Sequence, residues 1–328
     1  MKGIIIKAYG GVDVLVSTSD LPTPEFGKNQ LLIENYAAGL NPHDLYLRRG
    51  LLSSLLNEEL PIVPGLDIAG KVVAVGSDVT TFKEGDRVYG MMDANEQFSP
   101  TGFAKTGAYA EFCVTREETL SPTPESISFT EAASIPLAAL TAYQAIVKSA
   151  DAVSGQKILI NGASGGVGSM AIQIARQFGL DTVAVCSKES DSFVRSLNPG
   201  KIIHYDVTDF TSQRERYDII FDVVGNKDFA ACEAHLTPDG IYISNVPNEN
   251  TFMAYQNPDL EETYGFHRRN RYNWVIPEGK DLKAITQLID QGSLKPVVNR
   301  VFDLEHAAEA HHYVENNKAR GKTVLNIK

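Results

Sequence analysis

The sequence has few cysteines and no long apolar run. Cys113, Cys186 and Cys232 are odd in number and far apart in the 328 residues, which excludes a disulfide framework and a cysteine metal cluster. No stretch approaches the roughly 18 consecutive apolar residues of a membrane-spanning helix. We therefore expect a reduced, cytoplasmic compartment and no membrane association.

Positive charge is also scarce. The chain has 30 Lys and Arg residues against 41 Asp and Glu residues, a formal net charge of −11. Nucleic acid is thereby disfavoured as a partner, since binding its phosphates needs a basic surface. An anionic cofactor is still compatible with this composition, because only the local field at its pocket matters.

Internal repeats and low-complexity segments are absent, and the chain instead changes character along its length. The first part is β-rich, with apolar runs separated by turn signals. The alanine-rich segment 129–150 is predicted to be helical, with a start near Thr130. From Lys157 to Val246, strand-like and helix-like segments alternate, which indicates a doubly wound parallel sheet. Beyond Pro277 the alternation stops, and the last segment is expected to return to the first domain.

A glycine-rich turn opens the alternating region, in KILINGASGGVGSMAIQIARQFG (157–179). Ala163, Gly165 and Gly168 match the spacing of a dinucleotide loop, in which the backbone approaches a pyrophosphate at a helix N-terminus. Gly179 is placed to end that helix. The predicted cofactor contacts in this turn are Ser164, Gly165, Gly166 and Val167.

The end of the next predicted strand bears on the choice of cofactor. NAD-binding loops have an acid there for the ribose hydroxyls, whereas this strand ends in Cys186, Ser187 and Lys188. A hydroxyl and an ammonium suit a 2′-phosphate, so NADPH is favoured over NADH. In the alternative, Glu189 or Asp191 turns inward and takes the ribose.

Two dehydrogenase architectures carry a loop of this kind. The short-chain enzymes need a tyrosine with a lysine four residues later, and none of the 13 tyrosines here has one. Their loop also lies near the N-terminus, whereas this one begins at Gly162. The short-chain architecture is therefore excluded.

Further motifs are spread over the whole chain. They are GLNPHDLYLRRG (39–50), PIVPGLDIAGKVVAVG (61–76), KEGDRVYG (83–90), GAYAEF (107–112), AASIPLAALTAYQA (132–145), YDIIFDVVG (217–225), LKPVVNRVFDLEHAAEAHHYVE (294–315) and ARGKTV (319–324). In this order and spacing, together with the glycine loop, they resemble the medium-chain dehydrogenase/reductase superfamily. Within it they resemble the zinc-free branch of quinone oxidoreductases and enone reductases.

The resemblance implies an α/β fold with two domains. A GroES-like β-domain is split between the two chain ends, 1–124 and 279–328, and a doubly wound parallel-sheet Rossmann domain spans 125–278. Rossmann domains of this branch pair through edge strands, so a homodimer is implied, with IYISNV (241–246) as the candidate edge.

The resemblance also bears on metal and chemistry. Zinc-dependent relatives use a cysteine and a histidine beside a GHE motif, whereas this chain has Asn41 and Gly65–Asp67 at those places. No zinc is therefore expected. Without a Lewis acid, the suitable acceptors are a quinone or a carbonyl conjugated to C=C, reduced by hydride from NADPH. The alternatives are an enoyl-thioester reductase, with the basic segment 268–271 for carrier phosphates, or a non-catalytic NADPH-binding protein of crystallin or sensor type.

Individual residues take their expected roles from the same resemblance. Asn41, Asp44 and Tyr46 are implied beside the substrate, with Tyr46 as a proton donor. In the alternative, Asn41 and Asp44 only fix the loop and Tyr46 only packs. The polar segment 91–107 either covers the entrance or is a surface loop. The implied cofactor contacts are Thr141, Val224 and Gly225 at the nicotinamide, and Ser187, Lys188 and Tyr205 at the adenosine phosphate.

Overall fold

The protein is described here by a computed structural model covering residues 1–53, 60–93, 107–316 and 320–328. Most of the polar segment 91–107 lies outside these residues. The chain divides into unit 1, Met1–Leu140 with Ile276–Lys328, and unit 2, Thr141–Val275. The domain limits after residues 124 and 278 stay predictions.

The secondary structure alternates between short strands and helices. The strands are β1 Gly3–Ile6, β2 Leu15–Thr18, β3 Gln30–Leu40, β4 Asp67–Val75, β5 Arg87–Met91, β6 Phe112–Arg116, β7 Leu120–Pro122, β8 Lys157–Asn161, β9 Asp181–Cys186, β10 Lys201–His204, β11 Tyr217–Asp222, β12 Leu236–Ser244, β13 Asn270–Tyr272, β14 Val298–Asp303 and β15 Lys322–Asn326. The helices are α1 Pro42–Arg48, α2 Phe129–Ala133, α3 Pro136–Tyr143, α4 Gly166–Gln177, α5 Asp191–Ser196, α6 Phe229–Cys232, α7 Glu249–Gln256, α8 Gly279–Asp290 and α9 Ala307–Asn316.

Unit 2 is built on a parallel sheet. Within the described residues its strand order is β10-β9-β8-β11-β12-β13. The first strand of the unit, β8, lies inside the sheet, and Ile158, Leu159 and Ile160 are fully buried, as is typical of a strand with both faces covered. The order reverses between β8 and β11, and ligands of such sheets bind at the carboxyl ends of the strands beside this switch point. The predicted doubly wound sheet is confirmed.

Helix α4 follows β8 directly. Its buried face includes Met170, Ala171 and Ile174, which recur at helical spacing. The helix ends before Gly179, whose φ of +73° lies in the left-handed region that favours glycine. The strand–turn–helix unit predicted for 157–179 is therefore confirmed.

Unit 1 combines the two ends of the chain in one sheet. Within the described residues the strand order is β14-β15-β3-β4-β5-β7, and β6 also pairs with β3. The pairing of β15 with β3 is antiparallel and sets Thr323 opposite Leu40. The expected return of the last segment to the first domain is confirmed.

The helical character predicted for the segment 129–150 is confirmed. It comprises α2, α3 and a π-helical turn, Gln144–Ser149, with a break before Pro136, which has no amide hydrogen to continue a helix. Its first helix begins one residue before Thr130, with Ser128 as the cap.

The edge-strand prediction for IYISNV was wrong. This segment lies in and just after β12, which pairs on both sides, so the edges of the described sheet are β10 and β13.

The remaining composition-based expectations concern membranes and thiols. Among the described helices, none is long and apolar enough to cross a bilayer. All three cysteines are buried and free, which confirms that they form no disulfide framework. Burial raises the pKa of the Cys113 thiol to about 12.

Candidate functional site

The glycine turn of unit 2 brings backbone and helix terminus close together. Gly165 is the N-cap of α4, and no side chain of that cap covers the N–H groups of the first turn. A Cβ added to Gly168 would lie 2.2 Å from the carbonyl oxygen of Gly162, whereas one added to Gly165 would meet only that oxygen, at 3.6 Å. Ser164, Gly166 and Val167 are half-buried in the same turn. The space over Gly165 and the free helix terminus fit a pyrophosphate.

A buried carboxylate shapes the neighbouring loop at the switch point. Asp222 ends β11 and accepts hydrogen bonds from the backbone N–H groups of Val224 and Gly225 at 3.0 and 3.1 Å. The side-chain amide of Asn161, which ends β8, donates to the same carboxylate at 2.9 Å. The Tyr242 hydroxyl donates to it at 3.2 Å. Asp222 thus holds the loop that carries two predicted nicotinamide contacts, with Val224 exposed.

The predicted adenosine-phosphate contacts lie at the ends of β9 and β10. Ser187 is buried and its hydroxyl donates to the Ser190 hydroxyl at 3.1 Å, whereas Lys188 and Tyr205 are exposed. The Tyr205 N–H donates to the Cys186 carbonyl at 3.0 Å, which joins the two segments. Lys188 and Tyr205 are therefore accessible to a ligand.

Thr141 lies on α3, next to the π-helical turn, and is buried. The side-chain amide of Asn273 donates to the Thr141 carbonyl at 3.2 Å, and the Ser149 hydroxyl donates to the Asn273 side-chain oxygen at 2.9 Å. The Arg271 guanidinium donates to the Ser149 carbonyl. A π-helical turn disturbs the regular carbonyl partners of a helix, and here Asn273 binds Thr141, which precedes the turn, and Ser149, which ends it.

Helix α1 of unit 1 carries the three residues predicted beside the substrate. Asn41 precedes the helix and Asp44 lies in its first turn; both are buried. The Asp44 carboxylate accepts the Asn41 backbone N–H at 2.8 Å, which satisfies one donor at the helix start. Tyr46 is half-buried, and no described residue hydrogen-bonds its hydroxyl.

The Asn41 side chain belongs to a buried polar cluster with Asp67 and Lys322, which we call the lysine cluster. Its amide donates to Asp67 at 2.9 Å, and the Lys322 ammonium donates to the Asn41 side-chain oxygen and, at 3.1 Å, to Asp67. The Leu137 backbone N–H donates to the other Asp67 oxygen at 2.8 Å. Burial raises the pKa of Asp67, while the ammonium and these donors oppose the shift. The polar atoms of Asn41 are thus engaged inside the protein.

A second buried group adjoins Asp44. The Tyr109 hydroxyl donates to the Asp44 carboxylate at 3.2 Å and lies 3.3 Å from Nε2 of His311. Burial lowers the pKa of His311 to about 4. The same burial, with the Asp44 charge, raises the pKa of Tyr109 well above its usual value. His311 and Tyr109 are therefore neutral at pH 7; Tyr109 bonds to Asp44, and His311 contacts Tyr109.

The donor set of Asn41 and Asp67, in the described part of unit 1, does not suit a zinc ion. Asn41 and Asp67 already bind the Lys322 ammonium, so a divalent cation there would meet a positive charge instead of a free ligand. Elsewhere in the described ranges, no group of three His, Cys, Asp or Glu side chains is arranged to hold a metal.

Several of these residues had no place in the sequence prediction. Asp222 and Asn161 each end a strand, and an acid or amide at that point of a parallel sheet is a usable signal. Asn273 and Lys322 gave no such signal. The partners of Lys322 lie 281 and 255 residues away, so only the pairing of β15 with β3 brings them together.

Family models match both units of the chain. The alcohol dehydrogenase GroES-like domain matches residues 27–125, and the zinc-binding dehydrogenase model matches residues 199–325. The second name describes the family model, and the donor set described above departs from it.

Curated relatives match almost the whole chain. The NADPH-dependent alkenal/one oxidoreductase of Arabidopsis thaliana, a chloroplastic protein, is 34% identical over 99% of this chain and 79% of its own length. The 2-methylene-furan-3-one reductase of Solanum lycopersicum is 33% identical over the same shares.

A solved structure gives the same result. The quinone oxidoreductase of Coxiella burnetii superposes with a TM-score of 0.85 at 32% identity, covering 100% of this chain and 99% of the other. Sequence identity, coverage and strand order therefore indicate the same family. The chain belongs to the medium-chain dehydrogenase/reductase superfamily, in the group of quinone oxidoreductases and alkenal/enone reductases.

Proposed function

We propose that this chain is an NADPH-dependent reductase of α,β-unsaturated carbonyl compounds and quinones. The observation that carries the proposal is the open turn before α4, which lies at the switch point of a parallel sheet. The names of the relatives supply the acceptor class: an alkenal/one oxidoreductase, a furanone reductase and a quinone oxidoreductase.

The cofactor is held by backbone and by a few exposed side chains. The turn Ser164–Val167 receives the pyrophosphate on backbone N–H groups, and Lys188 with Tyr205 receives the adenosine phosphate. The Ser187 hydroxyl donates to the Ser190 hydroxyl and so shapes the turn that follows β9. Thr141, Val224 and Gly225 contact the nicotinamide. When bound, NADPH supplies the hydride that reduces the substrate.

Tyr46 is the proposed proton donor. Negative charge develops on the substrate oxygen when hydride reaches the β-carbon, and one hydrogen-bond donor at such an oxygen contributes roughly 3 kcal/mol. The Tyr46 hydroxyl is uncommitted among the described residues and is half-buried, so it is available for that role. Asn41 and Asp44 act by fixing the N-terminus of α1, on which Tyr46 lies.

Zinc has no part in this proposal. The Lys322 ammonium takes the place of a cation between Asn41 and Asp67, which supports a metal-independent reaction. Elemental analysis of the purified protein is expected to give far less than one zinc per chain, and chelator treatment is expected to leave turnover unchanged. Stoichiometric zinc with activity lost to chelator contradicts the proposal.

The reaction is tested by following NADPH oxidation with a panel of enones, quinones and enoyl thioesters. Enones and quinones are expected to support turnover, and enoyl thioesters less. A preference for enoyl thioesters would favour the enoyl-thioester reductase. The absence of turnover with every acceptor, despite NADPH binding, would favour a non-catalytic protein.

We also propose a homodimer and a cytoplasmic location. The terminal strands of the described sheet of unit 2, β10 and β13, each have one side without a strand partner in that sheet, which suits pairing with a second copy. Light scattering is expected to give twice the 35.8 kDa chain mass, and a mass near 35.8 kDa at micromolar concentration counts against the dimer. Three buried free thiols suit a reducing compartment.

A further inference from the structure

Asp206 lies beside the residues proposed to hold the 2′-phosphate. It follows β10 and is exposed, and both of its carboxylate oxygens accept the backbone N–H of Lys188, at 3.0 and 3.1 Å. Tyr205, its neighbour in sequence, is bonded to Cys186 at the end of β9. The Asp206 carboxylate is therefore held at the carboxyl ends of β9 and β10, where Lys188 also lies.

The alternative from the sequence names Glu189 or Asp191 as the acid that takes the ribose, but the carboxylate bonded to Lys188 is that of Asp206. Asp191 is bound by Arg195 at 2.8 Å and by the His204 ring at 2.8 Å, and these partners lower its pKa. By contrast, the Asp206 carboxylate accepts the backbone N–H of Lys188 and, within the described residues, has no ion-pair partner. The Lys188 side chain is exposed and likewise forms no ion pair with a described residue, so it is free for an anionic ligand.

We propose that Asp206 is a specificity-determining residue that limits the preference for NADPH over NADH, an inference that rests on the proposed function. A phosphate monoester carries a charge of roughly −1.5 to −2 at pH 7. Lys188 attracts that charge and the Asp206 carboxylate repels it. NADH has a hydroxyl in place of the phosphate, so it meets no such repulsion. The enzyme therefore uses both cofactors, with NADPH only moderately ahead.

The test is to measure dissociation constants of NADPH and NADH by fluorescence titration, for the wild type and for Asp206→Asn. Asparagine keeps an oxygen acceptor for the Lys188 N–H while removing the charge. The dissociation constant of NADPH is expected to fall about three- to tenfold, and that of NADH to change by less than about twofold. The gain should shrink in 1 M salt, where the Debye length is about 3 Å.

Two further variants separate the possible outcomes. Glu249→Gln makes the same change of net charge at an exposed residue of α7, and its affinities should match the wild type. Lys188→Ala should weaken NADPH much more than NADH, which tests the proposed cofactor site itself.

An unchanged or lower NADPH preference in Asp206→Asn overturns the inference even where Lys188→Ala behaves as expected. An equal gain from Glu249→Gln also overturns it. A wild type that binds neither cofactor overturns the proposed function instead.

Discussion

The lysine cluster of unit 1 consists of buried polar side chains that bind one another, whereas the turn before α4 and the end of β9 in unit 2 leave donors and a charge open to a ligand. Lys322, Asn41 and Asp67 saturate their own hydrogen bonds in the lysine cluster. The turn before α4 leaves backbone N–H groups uncapped by a side chain, and Lys188 is exposed.

The difference shows that polar groups have two roles in this protein, depending on whether they are buried or exposed. A buried group must find its partners within the fold, because an unsatisfied one is costly, and in the lysine cluster the protein itself supplies these partners. An exposed N–H or ammonium keeps its water until an anion replaces it. Buried polar groups thus stabilise the lysine cluster, and exposed ones leave Lys188 and the turn before α4 open to a ligand.

Removing the lysine of the cluster should have the largest effect. Lys322→Met leaves the buried Asp67 carboxyl without its cation, and breaking a buried pair in this way costs about 3–5 kcal/mol of unfolding free energy. Urea unfolding measures this. Lys328→Met is the matched control: Lys328 pairs with Glu34 at the surface, where the loss should stay below about 1 kcal/mol. Equal losses in the two variants would show that the lysine cluster is not the buried scaffold described here.

The second prediction concerns the pH dependence of stability. His311 has a folded-state pKa of about 4 and an unfolded value near 6.5, so between these values only the unfolded chain takes up the proton. Its contribution to stability is complete above pH 6.5 and falls as the pH drops, by about 2 kcal/mol at pH 5. His311→Gln removes this term. The exposed neighbour variant His312→Gln should keep the wild-type pH slope; the same slope in all three proteins would refute the assignment.

The Tyr46→Phe variant tests whether unit 1 takes part in the reaction or only supplies structure. Tyr46→Phe is expected to lower turnover on enones by about 10- to 100-fold, the usual range for an acid–base group. Quinone reduction should suffer less, because a quinone spreads charge over its own ring. NADPH affinity should hardly change. If enone turnover stays intact, Tyr46 is a packing residue and water supplies the proton.

The smallest expected effect is that of Gly165→Ala in unit 2, which tests whether the glycine turn contributes to NADPH binding without contributing to folding. Gly165→Ala meets only an ordinary contact, so its unfolding free energy should change by less than about 1 kcal/mol. Its Cβ fills the space left for the pyrophosphate, and NADPH affinity should fall about tenfold, the loss of one charge-assisted hydrogen bond. Gly168→Ala is the contrasting variant, since its Cβ overlaps backbone and should destabilise the fold. Unaltered affinity in Gly165→Ala would mean that this turn is not a phosphate site.

The sequence predicted the parts of the molecule that depend on local pattern. The glycine loop, the stripe of α4 and the left-handed Gly179 all follow from neighbours a few residues apart, and the structure confirms them. The break before Pro136 follows from a local feature too, because proline has no amide hydrogen to continue a helix.

Contacts that depend on strand order could not be predicted from the sequence. Asp222 meets Asn161 only because β11 pairs with β8, and Lys322 meets Asn41 only because β15 pairs with β3. Asp206 reaches Lys188 for the same reason, through the pairing of β10 with β9. A single sequence gives no register for such pairs, so these contacts could not be predicted, although the strand-end positions of Asp222 and Asn161 were a usable signal.

The central claim is that this chain moves a hydride from NADPH to the β-carbon of an unsaturated carbonyl compound. The most direct measurement is to supply an enone with NADPH deuterated at C4, in each of its two stereoisomers, and to locate the label by NMR. Deuterium is expected at the β-carbon from one stereoisomer only, with the α-hydrogen taken from solvent. Oxidation of NADPH without label at the β-carbon from either stereoisomer would contradict it.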